Sequence, residues 1–333
     1  MIEAPQKSVS FNTPVPDIGS ACWCYRCELP RRTLEANGWV ATANRPYNCD
    51  VAVFSRAKDF ATIRLVESLK LRGTKIVYDL DDNVWQVDKE NPYSKDITQD
   101  VLNGVDKMIS LSDLVTVTTC ELADVIKERF NKPVEILPNC FDPSDLDAGF
   151  PQCKELRDVD PARPIIFASG SLSHKGDFRD IKAIAAKNPL GGKAIWVAMV
   201  PKELWPLFPD GSVLTPVATF ADYMATLKML GSLSNVLGVV PLADTVFNRS
   251  KSRLKWAEYS FAGIPAVYSG VNEYRSFASV WTAGSATVND WVLALKDGWE
   301  SRDQLRENQL LLASGSCDIK KWWTLWADVY SKV

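Results

Sequence analysis

The chain has 333 residues, of which 46% are hydrophobic and 24% are charged, and its formal net charge at pH 7 is −3. This length exceeds what one hydrophobic core usually organises, so we expect two domains. The slightly negative charge argues against a general attraction to nucleic acid or to anionic membranes, and no apolar run approaches the roughly 20 residues of a membrane-spanning helix.

The start of the chain, MIEAPQKSVSFNTP, has an acidic residue and a proline where a secretion signal would need a basic cap and an apolar stretch. We therefore expect a cytoplasmic location, where cysteines are kept reduced. The segment CWCYRC (22–27) contains three thiols, but it lacks the second CxxC pair of a zinc site, and His174 is the sole histidine. We interpret all eight cysteines as ordinary small side chains and expect no metal.

Short strand patterns alternate with helical patterns in the first half of the chain. The predicted strands are VAVFSRA (51–57), TKIVYDL (74–80), LVTVTT (114–119) and VEILP (134–138). The predicted helices between them lie at 58–73, near 94–112 and at ELADVIKERF (121–130). This β-α-β order implies a parallel sheet that is covered by helices on both faces.

The pattern dissolves between Pro138 and Pro164, where four prolines after Pro138 and many acidic residues indicate an interdomain connection. It then resumes. The predicted strands are PIIFASG (164–170), KAIWVAMV (193–200), NVLGVVPL (235–242) and IPAVYSG (264–270), with helices at FADYMATLKMLG (220–231) and KSRLKWAEYSFAG (251–263).

Two helices are predicted to close the chain, the last in CDIKKWWTLWADVYSKV (317–333). Its aromatic stripe is formed by Ile319, Trp322, Trp323, Trp326 and Tyr330. The stripe predicts burial against another element, with a membrane surface as the less favoured alternative. In open α/β sheets ligands bind beyond the carboxyl ends of the strands. Two consecutive α/β halves therefore predict an active site in a cleft between domains.

The segment NRSKSRLKWAE (248–258) concentrates positive charge at the start of a predicted helix. Its basic residues are Arg249, Lys251, Arg253 and Lys255. Backbone amides at a helix start favour an anion, so we interpret the segment as a diphosphate cradle, with a solvated basic face as the alternative. Glu258 lies on the same side as Lys255 and suits either a ribose diol or a salt bridge to that lysine.

The loop ASGSLSHKGDF (168–178) follows the first strand of the second half. Its small residues, Ser169, Gly170 and Ser171, let the backbone approach a ligand closely. Lys175 opens the following helix, and His174 is placed to donate to a phosphate or to a transferred group.

The segment YDLDDNVW (78–85) ends a strand of the first half with three carboxylates, those of Asp79, Asp81 and Asp82. Such a group can hold a divalent cation or the hydroxyls of an acceptor, and Asp81 or Asp82 can cap the next helix. The sequence alone leaves these alternatives open.

Together these segments resemble the GT-B glycosyltransferases, in particular the retaining group that uses nucleoside-diphosphate sugars and carries a Glu-x7-Glu signature. The resemblance covers nearly the whole chain. In order it rests on YRCELP, KIVYDLDDNVW, VTVTTCELADVI with VEILPNCFD, SGSLSHKGDF, VVPLADTVFNRSKSRLKWAEYSFAGIPAVYS and VNEY. It implies an α/β fold of two Rossmann-like domains: an acceptor domain at 1–145, a donor domain at 146–315, and a C-terminal helix at 316–333 that crosses back to the first domain.

The resemblance also implies roles for residues. Glu258 matches the second glutamate of the signature and would bind the donor ribose, whereas Ser250 stands where the first glutamate would be. Lys175 lies where the family often has a phosphate-binding lysine, but relatives with a T-x-x-H-x-x-D-F loop vary there, which leaves Lys251 or Lys255 as the alternative.

Asn248 and Ser252, in the same segment, are expected to contact the donor as well. Arg26 of YRCELP is expected in a loop that faces the cleft, where its guanidinium would meet the donor phosphates or the acceptor. The residues expected to take part in the chemistry are His174, Asp81 and Asp82.

The expected activity is the transfer of a sugar from a nucleoside-diphosphate sugar, with retention and without a metal or further cofactor. In such enzymes the leaving phosphate can take the acceptor proton, which suits a chain with one histidine and no G-x-S-x-G motif. A glycan or lipid-linked sugar is the expected acceptor. A protein or a modified DNA base stays open, although the acidic charge balance does not favour DNA.

Two alternatives remain. An NAD-dependent oxidoreductase would also suit two Rossmann-like halves, but no G-x-G-x-x-G follows a predicted strand. A nucleotide-sugar-binding protein of weak activity on the same fold stays open because of Ser250.

Overall fold

The computed structural model describes residues 7–13, 20–191, 194–271, 273–277, 281–282 and 286–333. They form two domains, each built on a six-stranded sheet in which all neighbouring strands are parallel. The predicted α/β class with two parallel sheets is therefore confirmed.

The first domain contains the strands β1 (Ser8–Asn12), β2 (Val40–Ala43), β3 (Val51–Ser55), β4 (Lys75–Leu80), β5 (Leu114–Val117) and β6 (Val134–Ile136), in the spatial order β2-β1-β3-β4-β5-β6. Its helices are α1 (Ala21–Trp23), α2 (Leu29–Ala36), α3 (Phe60–Leu71), α4 (Gln99–Leu111) and α5 (Cys120–Arg129), with a π-helical turn over Cys24–Glu28 between α1 and α2. All four predicted strands are present. β1 and β2 escape prediction because polar residues, Ser8, Ser10 and Asn12 in β1 and Thr42 in β2, interrupt their apolar residues.

The second domain contains the strands β7 (Ile165–Ser169), β8 (Ile195–Met199), β9 (Val213–Thr215), β10 (Val236–Val240), β11 (Ala266–Ser269) and β12 (Trp281–Thr282), in the order β12-β11-β10-β7-β8-β9. Its helices are α6 (Ile181–Ala186), α7 (Phe220–Gly231), α8 (Val246–Arg249), α9 (Leu254–Ala262), α10 (Glu273–Phe277), α11 (Val288–Glu300) and α12 (Arg302–Ser316). A final helix, α13 (Ile319–Lys332), follows α12. Lys193, in the predicted strand KAIWVAMV, lies outside the described residues.

Two predicted helical regions differ from the structure. The predicted helix at 251–263 begins only at Leu254 and is preceded by the separate short helix α8. The chain closes with α11, α12 and α13 rather than with two helices, since a break at Ser301 divides the first of them and Asp318 caps the last.

The last helix crosses back and packs on the first domain, beside α2, as predicted. Ile319, Trp326 and Tyr330 are buried, and the ring of Tyr330 meets Phe11 of β1 edge-on with centroids 5.7 Å apart. Trp322 of the predicted stripe instead lies at the surface. Within the described ranges, no helix has both the length and the apolar composition needed to span a bilayer.

A buried ion pair fixes the π-helical turn to the first sheet. Arg26 donates from Nε and Nη2 to the two carboxylate oxygens of Asp79, over 3.0 and 2.5 Å, and both side chains are 1% exposed. Its Nη1 donates to the carbonyl of Leu137 over 2.7 Å and to Oδ1 of Asn139 over 3.1 Å. The guanidinium also lies 4.8 Å from the ring of Trp326. The pair therefore joins the turn, β4, the segment after β6 and the last helix.

The prediction that Arg26 lies in a loop facing the cleft is wrong. The residue is helical, fully buried and bonded from all three guanidinium nitrogens within the first domain. It has no surface from which to meet a phosphate.

Replacing Arg26 with alanine is expected to lower the free energy of unfolding by roughly 3–5 kcal/mol, because the buried carboxyl of Asp79 is left without its partner. Urea denaturation measures the loss, and faster hydrogen exchange in α13 locates it. Arg31→Ala is the matched control, since that arginine pairs at the surface with Glu28 and Glu35 and should contribute less than about 1 kcal/mol. Equal losses in the two variants would contradict the assignment.

Candidate active site

The loop after β7 brings the sole histidine over the carboxyl end of the second sheet. A Cβ at Gly170 would lie 3.0 Å from the ring of His174 and from the ring of Phe178, so a larger residue there would require both rings to shift by a few tenths of an ångström. Ser169 bonds through Oγ with the hydroxyls of Tyr223 and Tyr259, at 3.1 and 2.9 Å. Small residues here thus serve close packing of the protein itself.

His174 is oriented by a carboxylate that the sequence analysis did not single out. Its Nδ1 lies 2.7 Å from Oδ2 of Asp177. Oδ1 of Asp177 accepts from the amide of Ala243 over 2.8 Å and from Nδ2 of Asn248 over 2.9 Å. Because the carboxylate only accepts, Nδ1 of the neutral imidazole is the donor and Nε2 keeps its lone pair. Its spacing from His174, three residues, is the sequence feature that could have identified Asp177 as the partner of the histidine.

The surroundings of His174 favour its neutral form. Burial lowers its pKa, the positive charge of Lys251 lowers it further, and the hydrogen bond to Asp177 opposes both. A neutral Nε2 accepts a proton rather than donating one. An anion bound beside it would shift the balance towards the imidazolium, since a nearby negative charge favours the charged form.

Three of the four basic residues of the predicted segment are paired with carboxylates. Arg249 and Arg253 are neutralised by Asp244 and Glu273, over 2.6 and 2.9 Å, as in the alternative of a balanced basic face. Lys255 pairs with Glu258 over 3.0 Å, the salt bridge that the sequence left open for that glutamate. Lys251 and Lys255 both act on the pKa of His174.

Lys251 carries the least compensated charge of the segment. Its Nζ lies 5.0 Å from the centroid of the Phe247 ring, and it makes no ion pair within the part of the chain that is described. Arg253 is the N-cap residue of α9 and gives the first amides of that helix no side-chain acceptor. The start of α9 therefore presents both backbone donors and a positive charge to an anion.

Glu258 is held by three donors and is 2% exposed. Its Oε2 accepts from the hydroxyl of Tyr223 over 2.7 Å and from Nζ of Lys255 over 3.0 Å. Its Oε1 accepts from the hydroxyl of Tyr25 over 2.9 Å, across the boundary between the two domains. Tyr25 precedes Arg26 in YRCELP, so that motif could have identified it as a site residue. No feature of the sequence identified Tyr223.

Two further hydrogen bonds cross between the domains at the start of α9. Thr119 donates from Oγ1 to the carbonyl of Ser250 over 3.0 Å, and Asn139 donates from Nδ2 to Oγ of Ser252 over 2.8 Å. The hydroxyl of Ser252, predicted to contact a donor, is thus used to join the domains.

The three carboxylates of the acidic segment have different partners. Asp79 pairs with Arg26, whereas Asp81 and Asp82 face Arg56 at 3.4 and 3.9 Å. Arg56 also donates to the sulfur of Cys22. Across the described ranges no group of three or more metal-ligating side chains comes together, and no disulfide forms.

The predicted residues therefore fall into two groups. Those joined in one network around His174 are Ser169, Gly170, Asn248, Lys251, Lys255 and Glu258. Those outside it are Arg26, Ser171, Lys175, Ser252, Asp81 and Asp82. Of these, Ser171 and Lys175 are exposed.

No family model matches the chain, and no curated protein matches it in sequence. Solved structures share its fold over almost the full length. It is similar to sucrose-phosphate synthase from Thermosynechococcus elongatus, with a TM-score of 0.70 and 11% identity over 98% of this chain and 99% of that chain.

Anabaena HepE in complex with UDP and glucose gives a TM-score of 0.66 at 12% identity, over 98% and 100% of the two chains. An alpha-glucosyltransferase in complex with UDP and a 13-mer DNA gives 0.64 at 10% identity, over 98% and 100%. At these identities the likeness establishes the fold alone. That fold is GT-B, as the sequence predicts.

Because His174 is the sole histidine, a single imidazole Hε1 resonance reports its titration. We expect a midpoint below the ordinary 6.5. Lys251→Ala should raise it by removing a positive charge, and Asp177→Asn should lower it by removing the stabilising carboxylate. As the pH falls through 6.5 the unfolded chain takes up the proton first, so His174 makes the fold less stable below that pH.

The matched control for this titration is Lys182→Ala, which removes a lysine that faces Asp210 in the second domain. It should leave the midpoint unchanged. A wild-type midpoint at or above 6.5 would contradict the lowered pKa of His174, and no response to Lys251→Ala would show that the two side chains do not share a site.

Proposed function

We propose that the protein is a glycosyltransferase that moves a sugar from a nucleoside-diphosphate sugar to an acceptor hydroxyl. The observation that carries the proposal is the convergence, at the carboxyl end of the second sheet, of the His174 turn with the start of α9 and its lysines. The GT-B fold supports it, since solved proteins of this fold, HepE and the alpha-glucosyltransferase, are in complex with UDP.

In this proposal the start of α9 binds the diphosphate. Lys251 supplies a full positive charge that no acidic partner within the described ranges neutralises, and the uncapped amides supply donors. Glu258 accepts from the ribose diol. The carboxylate already binds three donors, so a ribose hydroxyl must replace one of them or join them at a remaining lone pair.

The chemistry follows from the leaving group. Breaking the bond between sugar and diphosphate develops positive charge on the sugar and negative charge on the phosphate, and Lys251 with the helix amides stabilises the latter. The acceptor oxygen bonds to the anomeric carbon on the face that the phosphate leaves, and the departing phosphate oxygen takes the proton of the acceptor hydroxyl, so the sugar is transferred with retention. Lys251 and the helix amides take the charge-stabilising role that a metal would otherwise have. His174 lies beside this anion, which favours its protonated form and lets Nε2 donate to the phosphate.

The acceptor enters from the first domain, where Asp81 and Asp82 follow β4. The segment that continues from them carries Asp88 and Glu90, and Glu90 reaches Arg179 of the second domain over 3.2 Å. These carboxylates suit the hydroxyls of a glycan and repel a phosphate backbone. We therefore place a glycan or a lipid-linked sugar ahead of a protein or a DNA base as the acceptor.

One observation favours a second candidate, a nucleotide-sugar-binding protein of weak activity. Ser250 is buried, and its hydroxyl points back to the carbonyl of Val246 at 3.4 Å. It cannot supply the charge of the glutamate that the Glu-x7-Glu signature would place there.

Nucleotide binding tests the proposal directly. A thermal-shift panel of UDP, GDP, ADP and dTDP should select one that raises the melting temperature, because a ligand of the folded state stabilises it. Lys251→Ala should weaken its affinity in calorimetry by about 10-fold or more, the effect of losing a charge-assisted contact, while Lys182→Ala should not. A panel without any stabilising nucleotide would sink the proposal.

The stereochemistry of the product separates the mechanisms. With an α-linked donor, and with water or a glycan as the acceptor, NMR of the first product should show the α configuration, and excess EDTA should leave the rate unchanged. A β product would establish inversion. Loss of activity in EDTA with recovery in Mg²⁺ would establish a metal requirement.

A further inference from the structure

Two neighbouring residues of the π-helical turn connect the first domain to the second along separate routes. Tyr25 bonds directly to Glu258 over 2.9 Å. Arg26 fixes Oδ1 of Asn139 over 3.1 Å, which leaves Nδ2 of Asn139 to donate to Ser252 over 2.8 Å. Both connections end on the segment at 248–258, to which the proposed function assigns the binding of the sugar donor.

The two side chains diverge because successive residues of a helix point in different directions. The turn is π-helical, since the amide of Leu29 donates to the carbonyl of Cys24, five residues earlier. Tyr25 points to the second domain and Arg26 to β4. The ring of Tyr25 is held edge-on against Phe220 of α7, with centroids 5.3 Å apart.

The contact between Tyr25 and Glu258 also shields the carboxylate of Glu258 from solvent. Tyr25 and Glu258 are each 2% exposed, so no ligand hydroxyl reaches Oε1 of Glu258 while the bond is made. Burial and the neighbouring carboxylate raise the pKa of Tyr25 well above its ordinary value, which keeps its hydroxyl protonated and donating.

We propose that Tyr25 is a latch on the donor site: its hydroxyl takes the place of a ribose hydroxyl on Oε1 of Glu258, and an incoming nucleotide must displace it. The inference rests on the proposed function, because it needs Glu258 to bind the ribose. Tyr25 is a positioning residue here, since it acts on the donor through Glu258. The wild-type protein therefore loses part of its nucleotide affinity in breaking this contact.

Tyr25→Phe tests the latch, because it removes the hydroxyl and keeps the ring. The affinity for the nucleoside diphosphate that the panel selects among UDP, GDP, ADP and dTDP should rise about 2- to 10-fold, the range set by the net contribution of one hydrogen bond. Without nucleotide, amides of α9 and of residues 24–28 should exchange faster than in wild type. A purely structural role for Tyr25 would instead lower the affinity.

Tyr78→Phe is the matched control. It removes a buried tyrosine hydroxyl that donates to the carbonyl of Ala57 over 2.7 Å, within the first domain. Its nucleotide affinity should equal that of wild type. An unchanged or weaker affinity in Tyr25→Phe, with wild type binding normally, overturns the latch alone. If the wild-type protein and both variants bind no nucleotide, the proposed function is wrong, and the proposed displacement of Tyr25 by a ribose hydroxyl is wrong with it.

Discussion

The buried pair of Arg26 and Asp79 is the interaction on which the rest of the molecule depends. Both side chains are 1% exposed, so each would pay a large desolvation cost if it stood alone. The cost is offset because every guanidinium nitrogen finds an acceptor, and Thr116 donates to Asp79 over 2.7 Å. One arginine thereby sets the position of the turn that carries Tyr25, of Asn139 at the domain boundary, and of the last helix.

The candidate site shows how partners decide which charges remain available. Arg249 and Arg253 are balanced by local carboxylates, whereas Lys251 rests on an aromatic ring. His174 is kept neutral by burial and by Lys251, against the pull of Asp177. Lys251 thus brings to the start of α9 a positive charge without an acidic partner among the described residues, and the proposed function assigns that charge to the leaving diphosphate.

Much of the architecture could be predicted because burial on both faces leaves a direct trace in a strand. Strands such as Val51–Ser55 and Ile165–Ser169 are buried at every position, so each is a continuous apolar run. β1 leaves no such trace because serines and an asparagine interrupt its apolar residues, and β2 and β9 leave none because they are only partly buried. Arg26 was misplaced for a related reason: a pattern of residue types does not tell whether an arginine finds its partner in solvent, in a ligand or in a strand 53 residues away.

The sequence by itself determined the alternation of strands and helices and the two-domain α/β fold, which follow from local periodicity. The helix that crosses back followed only from the resemblance that the short motifs carry, and the segments at 168–178 and 248–258 were marked by their small and basic residues. Only the tertiary structure decided which groups in those segments are already satisfied by protein partners. Tyr25 with Glu258, Asn139 with Ser252 and Arg26 with Asp79 are pairs separated by 233, 113 and 53 residues. Such pairing depends on how the chain packs, and no local pattern contains it.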